Sequence, residues 1–244
     1  MTEQPYMMDI GSCYIKEFEA NVLDVNVGDR AEIVLDTTNF YPEGGGQPSD
    51  TGWIEWEGGR CRIVEVVKKD EILHIAQGDL PESGQLVKCS IDWDRRYSHM
   101  RMHTAQHVIS SVVWKRYGAK TVGNQVHADY SHIDFYPLSI DEREAGELED
   151  EINSIIERGA VVNIDLLDRE DIEGRMGKDR VDLSRLPRSI KKFRTVLIGE
   201  NGNVDECPCA GTHVSKLSEL GRVRIVKRKS KGKGKQRIQY VLER

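Results

Sequence analysis

The run SHMRMHTAQH, residues 98–107, carries three histidines four residues apart: His99, His103 and His107. On a helix this spacing stacks side chains one turn apart along a single face. The flanks agree with a helix. From Trp93 to Tyr117 apolar residues recur at helical spacing, with Val108, Ile109, Val112 and Val113 on one stripe, and Gly118 follows as a C-cap. Two imidazoles at i and i+4 can grip one metal ion, as they do in H-E-x-x-H zinc sites. The glutamate that acts as general base in such a peptidase is missing here, because Thr104, Ala105 and Gln106 fill the gap between His103 and His107. Peptidase chemistry is therefore not expected.

A second cluster, CPCAGTH at 207–213, sets Cys209 and His213 on either side of Ala-Gly-Thr in an expected loop. A thiolate and an imidazole at this spacing form a natural second pair of ligands. The two clusters together supply three histidines and a cysteine, a set suited to borderline-soft Zn²⁺, one ion per chain. Spacing alone leaves Cys207 open in place of Cys209, and His99 in place of His103. The five cysteines, Cys13, Cys61, Cys89, Cys207 and Cys209, are odd in number and scattered, which argues against a disulfide framework.

Outward from the helix, the chain divides into two patterns. Before it, segments 31–35, 60–67, 71–76 and 86–92 are rich in Val, Ile and Leu and are separated by Gly, Pro, Asp and Asn clusters. Short strands at this spacing predict a small β-barrel. After it, a capping box from Ser139 to Glu142 predicts a helix running to Arg158 and stopped by Gly159. Segments 161–167, 193–198, 222–229 and 236–243 read as strands, 168–176 as a short helix, and the last two strands as a hairpin. Helices mixed with hairpin-linked strands predict an α+β class. The expected organisation is an N-terminal barrel domain, 1–92, followed by an α+β domain, 93–244.

Composition bounds the partners. With 38% hydrophobic and 31% charged residues the chain has a soluble globular make-up, and no apolar run suggests a membrane helix or signal peptide. A cytoplasmic protein is expected. The net charge of -6 gives no bulk attraction to nucleic acid, so any RNA contact must be local. The densest positive cluster is KRKSKGKGKQR at 227–237, with Lys227, Arg228, Lys229, Lys231, Lys233, Lys235 and Arg237 and no acidic residue. It is the candidate for phosphate contacts.

HTAQH at 103–107 and CAGTHV at 209–214 resemble the two metal motifs of the alanyl-tRNA synthetase editing domain and its free-standing relatives, the AlaX proteins. A third stretch, FYPEGGGQPSDTG at 40–52, is similar to the glycine-rich motif of the medium-length members, which carry an extra N-terminal barrel. The motifs occur in family order, and the likeness covers nearly the whole chain. Family spacing favours His103, His107, Cys209 and His213 as the ligands. Ala210 stands where the family often has glycine. The resemblance further implies that the glycine-rich loop, through Gly44, Gly45, Gly46 and Gln47, leans from the barrel onto the editing site. No G-K-[ST] follows those glycines, so the loop is not a P-loop. Neither an aminoacylation domain nor an ATP-binding pattern is expected.

The function implied is hydrolysis, in trans, of the aminoacyl ester on mischarged tRNA(Ala) carrying serine or glycine, with Ala-tRNA(Ala) spared. Zinc held by the four ligands can position a water, lower its pKa to about 7 and polarise the carbonyl, although four protein ligands more often close a structural site. Serine differs from alanine by one hydroxyl, and a pocket that hydrogen-bonds it can discriminate by up to about 10⁴. The resemblance points to Thr121 as the residue meeting that hydroxyl, with Thr104 as a second candidate. Two other readings stand beside this one: a zinc-stabilised tRNA-binding module without catalysis, and a deacylase for another mischarged tRNA.

Overall fold

Six antiparallel strands close into a barrel: β1 (Glu17–Val27), β2 (Ala31–Leu35), β3 (Gly52–Trp56), β4 (Gly59–Lys68), β5 (Ile72–Gly78) and β6 (Leu86–Ile91), ordered β1-β2-β5-β4-β3-β6. The computed structural model describes residues 2–176 and 189–243. Inward positions such as Val22, Ile33, Leu35, Ile54, Ile63 and Val87 form the barrel core together with Phe40. Richness in Val, Ile and Leu between turn residues accounts for β2, β4, β5 and β6, of which β2 and β5 bury three consecutive residues instead of alternating. Strands β1 and β3 were not anticipated. In β1 only Ala20 and Val22 are buried; Glu17, Glu19 and Asn21 do alternate with Phe18, Ala20 and Val22, but Glu, Asn and Ala are weak strand formers.

The barrel is followed at once by helix α1 (Trp93–Tyr117), which ends at Gly118 in a left-handed conformation, φ 64°. Its buried stripe includes Val108, Ile109, Val112 and Val113, as the spacing predicts. A four-stranded sheet, β12-β13-β8-β7, packs with α1 and α2 (Glu142–Glu157) around a second core; its strands are β7 (Lys120–Gln125), β8 (Ser131–Tyr136), β12 (Arg222–Ser230) and β13 (Gln236–Glu243). A three-stranded sheet, β11-β10-β9, contains β9 (Val162–Asp168), β10 (Lys192–Ile198) and β11 (Asp205–Pro208), with the short helix α3 (Arg169–Met176) between β9 and β10. The class is α+β, with a small barrel preceding the mixed part. Strands β7, β8 and β11 were not legible in advance. β7 is mostly exposed, and β11 has only four residues.

The cap of α2 differs from the expectation. Asp141, not Ser139, is the N-cap, in a reciprocal box with Glu144. Ile140 cannot enter the helix, because it is tied to β13: its N–H donates to Gln236 Oε1 at 2.9 Å, and its carbonyl accepts from Gln236 Nε2 at 3.1 Å. The predicted stop holds, with Arg158 as C-cap and Gly159 at φ 65°.

One buried cation locks the barrel to α1. Arg96 is fully buried and pairs with Asp50, while also donating to the carbonyls of Cys13 (3.1 Å) and Asn39. Asp50 in turn accepts from the Tyr41 N–H at 2.7 Å. A buried pair of this kind contributes little net stability, but removing one partner typically costs about 3–5 kcal/mol. Its effect here is to fix the 40–50 loop against the helix that carries the histidines. Tyr6, Cys13 and Tyr41 accordingly pack in the second core rather than in the barrel.

Candidate metal centre and its adjoining cavity

Helix α1 places His103 and His107 on the same face one turn apart, and both are buried. The loop after β11 brings Cys209 and His213 to that face. The candidate ligand atoms of His103, His107, Cys209 and His213 all lie within 4.8 Å of one another. Cys209 Sγ is 3.5 Å from His103 Nε2 and 3.4 Å from His213 Nε2. The group could hold a metal ion.

Each imidazole is oriented by a bond at its other nitrogen. His107 Nδ1 donates to Asp205 Oδ2 at 2.8 Å, and His103 Nδ1 donates to Gln47 Oε1 at 2.8 Å. His213 Nδ1 lies 3.1 Å from Thr104 Oγ1. The Thr104 hydroxyl gives its own proton to the Met100 carbonyl at 2.8 Å, so towards His213 it can only accept. With Nδ1 committed to these partners in all three rings, the Nε2 atoms face inward together with the sulfur. This is the arrangement by which outer groups aim metal ligands.

Electrostatics agree with a thiolate in the cluster. Burial opposes ionisation of Cys209, but its interactions with the neighbouring imidazoles drive its pKa well below the usual thiol range. Burial also acts to lower His107, yet its bonds to Asp205 and Cys209 push it up to about 10. Burial and the neighbouring His103 hold His213 well below the ordinary imidazole value.

The packing leaves no slack. A Cβ on Gly211 would sit 2.1 Å from His103 Cε1 and 3.0 Å from Gln47 Oε1. Ala210 is exposed, and its backbone is not left-handed, so the methyl there is tolerated.

The remaining residues singled out in the sequence fall into distinct places. Gln47 is fully buried and grips the second motif: Oε1 also accepts from the Thr212 N–H at 3.1 Å, and Nε2 donates to Thr212 Oγ1 at 2.9 Å. It thus holds the cluster and does not face outward. Thr104 is likewise fully buried, with its oxygen committed to Met100, His213 and, at 3.2 Å, the Val214 N–H. The glycines approach through backbone: the Gly45 carbonyl accepts from Asn124 Nδ2 at 2.8 Å, and the Gly46 carbonyl accepts from the Val126 N–H at 2.8 Å. A side chain on Gly46 would collide with Asn124 at 2.3 Å, while Gly44 is held by the Tyr41 hydroxyl at 2.8 Å. His99 stays outside the cluster, buried, with its Nδ1 unpartnered among the described residues and burial lowering its pKa to about 3.

Beside the cluster lies a cavity of about 120 Å³, lined among others by His107, Ser110, Trp114, Thr121, Asp205 and Cys207. Thr121 therefore reaches the site, at the start of β7. Cys207 faces this cavity and is not part of the cluster. Asp205, Ser110 and Gln47 as a support for His103 were not foreseen. For Asp205 a signal existed, since residues 205 and 207 share one face of a strand. Asp205 is set against α1 by Ser111 Oγ and Lys115 Nζ, which donate to the Val204 carbonyl at 2.5 and 2.7 Å.

The basic hairpin forms as expected between β12 and β13. Lys227, Lys229, Lys231 and Lys233 are exposed, and Lys235 is half-buried. Arg237 is engaged by Asp134 at 2.7 and 2.9 Å, and Arg228 donates to the Ile140 carbonyl at 3.0 Å. Those two arginines serve the fold. Among the described residues no helix is long and apolar enough to cross a membrane.

The fold is thus a barrel joined to an α+β unit, with a His₃Cys cluster supported from both. The profile described as threonyl and alanyl tRNA synthetase second additional domain matches residues 194–239, and that of class II (A) tRNA synthetases matches residues 9–95. The chain is 40% identical to the alanyl-tRNA editing protein AlaX-M of Methanosarcina barkeri, covering 99% of each. It is 36% identical to AlaX-L of Pyrococcus horikoshii over 98% of this chain and 58% of the relative. It is also 33% identical to the alanine–tRNA ligase of Pyrobaculum calidifontis, over 88% of this chain and 24% of the ligase. The chain belongs to the alanyl-tRNA editing protein family.

Proposed function

We propose that this protein is a zinc-dependent deacylase acting in trans on tRNA(Ala) mischarged with serine or glycine, sparing Ala-tRNA(Ala). The observation that carries the reading is the cluster of His103, His107, Cys209 and His213 beside a small cavity that His107 also lines, with hydroxyl groups on its wall. The donor set fits zinc. For bonds of about 2.0–2.3 Å, the edges of a tetrahedron run roughly 3.3–3.7 Å, and the Cys209 contacts of 3.4 and 3.5 Å fall in that range. One soft thiolate with three neutral imidazoles also suits a borderline-soft ion.

Zinc bound there would supply Lewis-acid polarisation of the ester carbonyl and a lowered pKa for the attacking water. The protein's own groups do the rest. Asp205, Gln47 and Thr104 hold the imidazoles in one tautomer. The cavity receives the aminoacyl side chain, and Thr121 is positioned to meet a seryl hydroxyl. The exposed lysines of the β12–β13 hairpin supply phosphate contacts that the acidic chain otherwise lacks. In this reading residues 1–92 form a domain that buttresses the centre, and 93–244 form the editing domain. Protein of this family working on free aminoacyl-tRNA would act in the cytoplasm.

The test is incubation of the purified protein, zinc-loaded and chelator-stripped, with Ser-tRNA(Ala), Gly-tRNA(Ala) and Ala-tRNA(Ala). Deacylation of the first two, lost on stripping, is expected. Equal rates on all three esters, or none after reloading, would refute the proposal.

A further inference from the structure

We propose that Ser110 is the second half of a two-point reader for the seryl hydroxyl, acting with Thr121 across the cavity beside the metal centre; the inference rests on the editing function proposed above. Ser110 lies one helical turn beyond His107 on α1, so the ligand and the hydroxyl share a face and line the same cavity. Thr121 approaches from the start of β7. Its Oγ1 donates to Ser110 Oγ at 3.0 Å.

A hydroxyl has one proton and two lone pairs. With its proton given to Ser110, Thr121 presents only an acceptor to the cavity. Ser110 accepts that bond and keeps its own proton. A helical serine ordinarily turns that proton back to the carbonyl four residues earlier, which here is Gln106. Among the described residues the Ser110 hydroxyl bonds Thr121 alone. The pair thus offers one donor and one acceptor side by side, in a cavity whose lining also includes the apolar surfaces of Trp114 and Ala119.

A seryl hydroxyl has the complementary pair. It donates to Thr121 Oγ1 and accepts from the Ser110 hydroxyl, so both of its polar functions are satisfied on leaving water. An alanyl methyl can do neither, and it would cover two hydroxyls without replacing their bonds to water. Glycyl has no atom to place there, so its hydrolysis is indifferent to the pair. A single hydroxyl could satisfy only one of the two functions, and a site that satisfies both discriminates more strongly against the analogue lacking the group.

The experiment compares Ser110→Ala, Ser110→Thr, Thr121→Val and the double variant Ser110→Ala/Thr121→Val on Ser-tRNA(Ala) and Gly-tRNA(Ala). Ser110→Ala should lower kcat/KM for the seryl ester about tenfold and leave the glycyl ester within about twofold. Ser110→Thr, which keeps the hydroxyl, should restore the seryl rate. The double variant should be little worse than the poorer single one, because the two groups act as a unit. An unchanged seryl rate in Ser110→Ala, or equal losses on both esters, would overturn the inference while leaving the editing function intact. A wild-type protein inactive on both esters would overturn the editing function itself and the two-point reader with it.

Discussion

Oε1 of Gln47 lies 2.8 Å from Nδ1 of His103, although the two residues are 56 positions apart and belong to a barrel loop and to helix α1. The same oxygen accepts the Thr212 N–H, and the amide nitrogen reaches Thr212 Oγ1. One side chain from the barrel therefore holds both halves of the candidate metal centre. Arg96 and Asp50 fix the loop that carries it.

Replacing Gln47 by Leu should strand three buried partners and weaken metal affinity by about 10–100-fold, with a stability loss of roughly 1–3 kcal/mol for each group left unpaired. Gln47→Glu keeps an oxygen for His103 and Thr212 and should recover most of the affinity. Zinc competition against a chromophoric chelator measures this. Equal affinities for wild type and the Leu variant would remove Gln47 from the metal centre.

Gly211→Ala should disrupt the centre, because the new methyl would meet His103 Cε1 at 2.1 Å. Ala210→Gly, one residue away at an exposed position, should change zinc content hardly at all. The contrast is read by metal analysis and thermal unfolding of the two variants. A normal zinc content in Gly211→Ala would show that the loop has room to move.

Purified protein should contain about one zinc per chain. Cys209→Ser should lose most of it, since the sulfur sits 3.4–3.5 Å from two imidazole Nε2 atoms. Cys207→Ser, which alters a cavity wall outside the cluster, should keep it. Loss of metal in the Cys207 variant instead would reverse the assignment.

Replacing Lys231, Lys233 and Lys235 by Ala should raise KM for Ser-tRNA(Ala) with little change in saturating kcat, the signature of weakened uniform binding. Each lysine–phosphate pairing removed should flatten the salt slope by roughly 0.7–0.9. Arg237→Ala should act differently. It breaks the bidentate pair with Asp134 and should lower stability first. An unchanged KM and salt slope in the triple variant would mark the hairpin tip as a solvated turn.

The barrel should lose stability in mild acid through His74. This ring is fully buried, accepts from the Thr38 hydroxyl (2.8 Å) and donates to the Ile33 carbonyl (3.0 Å), and burial lowers its pKa to about 4. The unfolded chain binds a proton near the ordinary histidine value of about 6.5, so below that pH it holds more protons than the folded chain. The contribution is fully present above about pH 6.5, falls as pH drops towards about 4, and then levels off. The total is on the order of 3 kcal/mol. Denaturant titrations of wild type and His74→Gln at several pH values between about 4 and 7 test this window, and parallel pH dependences would contradict it.

The sequence alone determined the helix bearing the histidines, because the apolar residues around them, Val108, Ile109, Val112 and Val113, recur at a spacing that a strand's period of two does not reproduce. It also marked the second Cys/His motif, without choosing between Cys207 and Cys209, four of the six barrel strands and the basic hairpin, since each is a local pattern whose meaning does not depend on distant residues. The tertiary structure decided which candidates meet. It chose Cys209 over Cys207, because β11 ends at Pro208 and the loop that follows turns the Cys209 sulfur towards the imidazoles. It placed His103, and not His99, with its ligand atom within 4.8 Å of those of Cys209 and His213. It turned Gln47 and Thr104 from candidate substrate contacts into supports for imidazoles, and it brought Asp205 and Ser110 to the site. Hydrogen bonds such as those of Gln47 and Asp205 join segments far apart in the chain. Their partners are set by packing in three dimensions, and no local spacing encodes them.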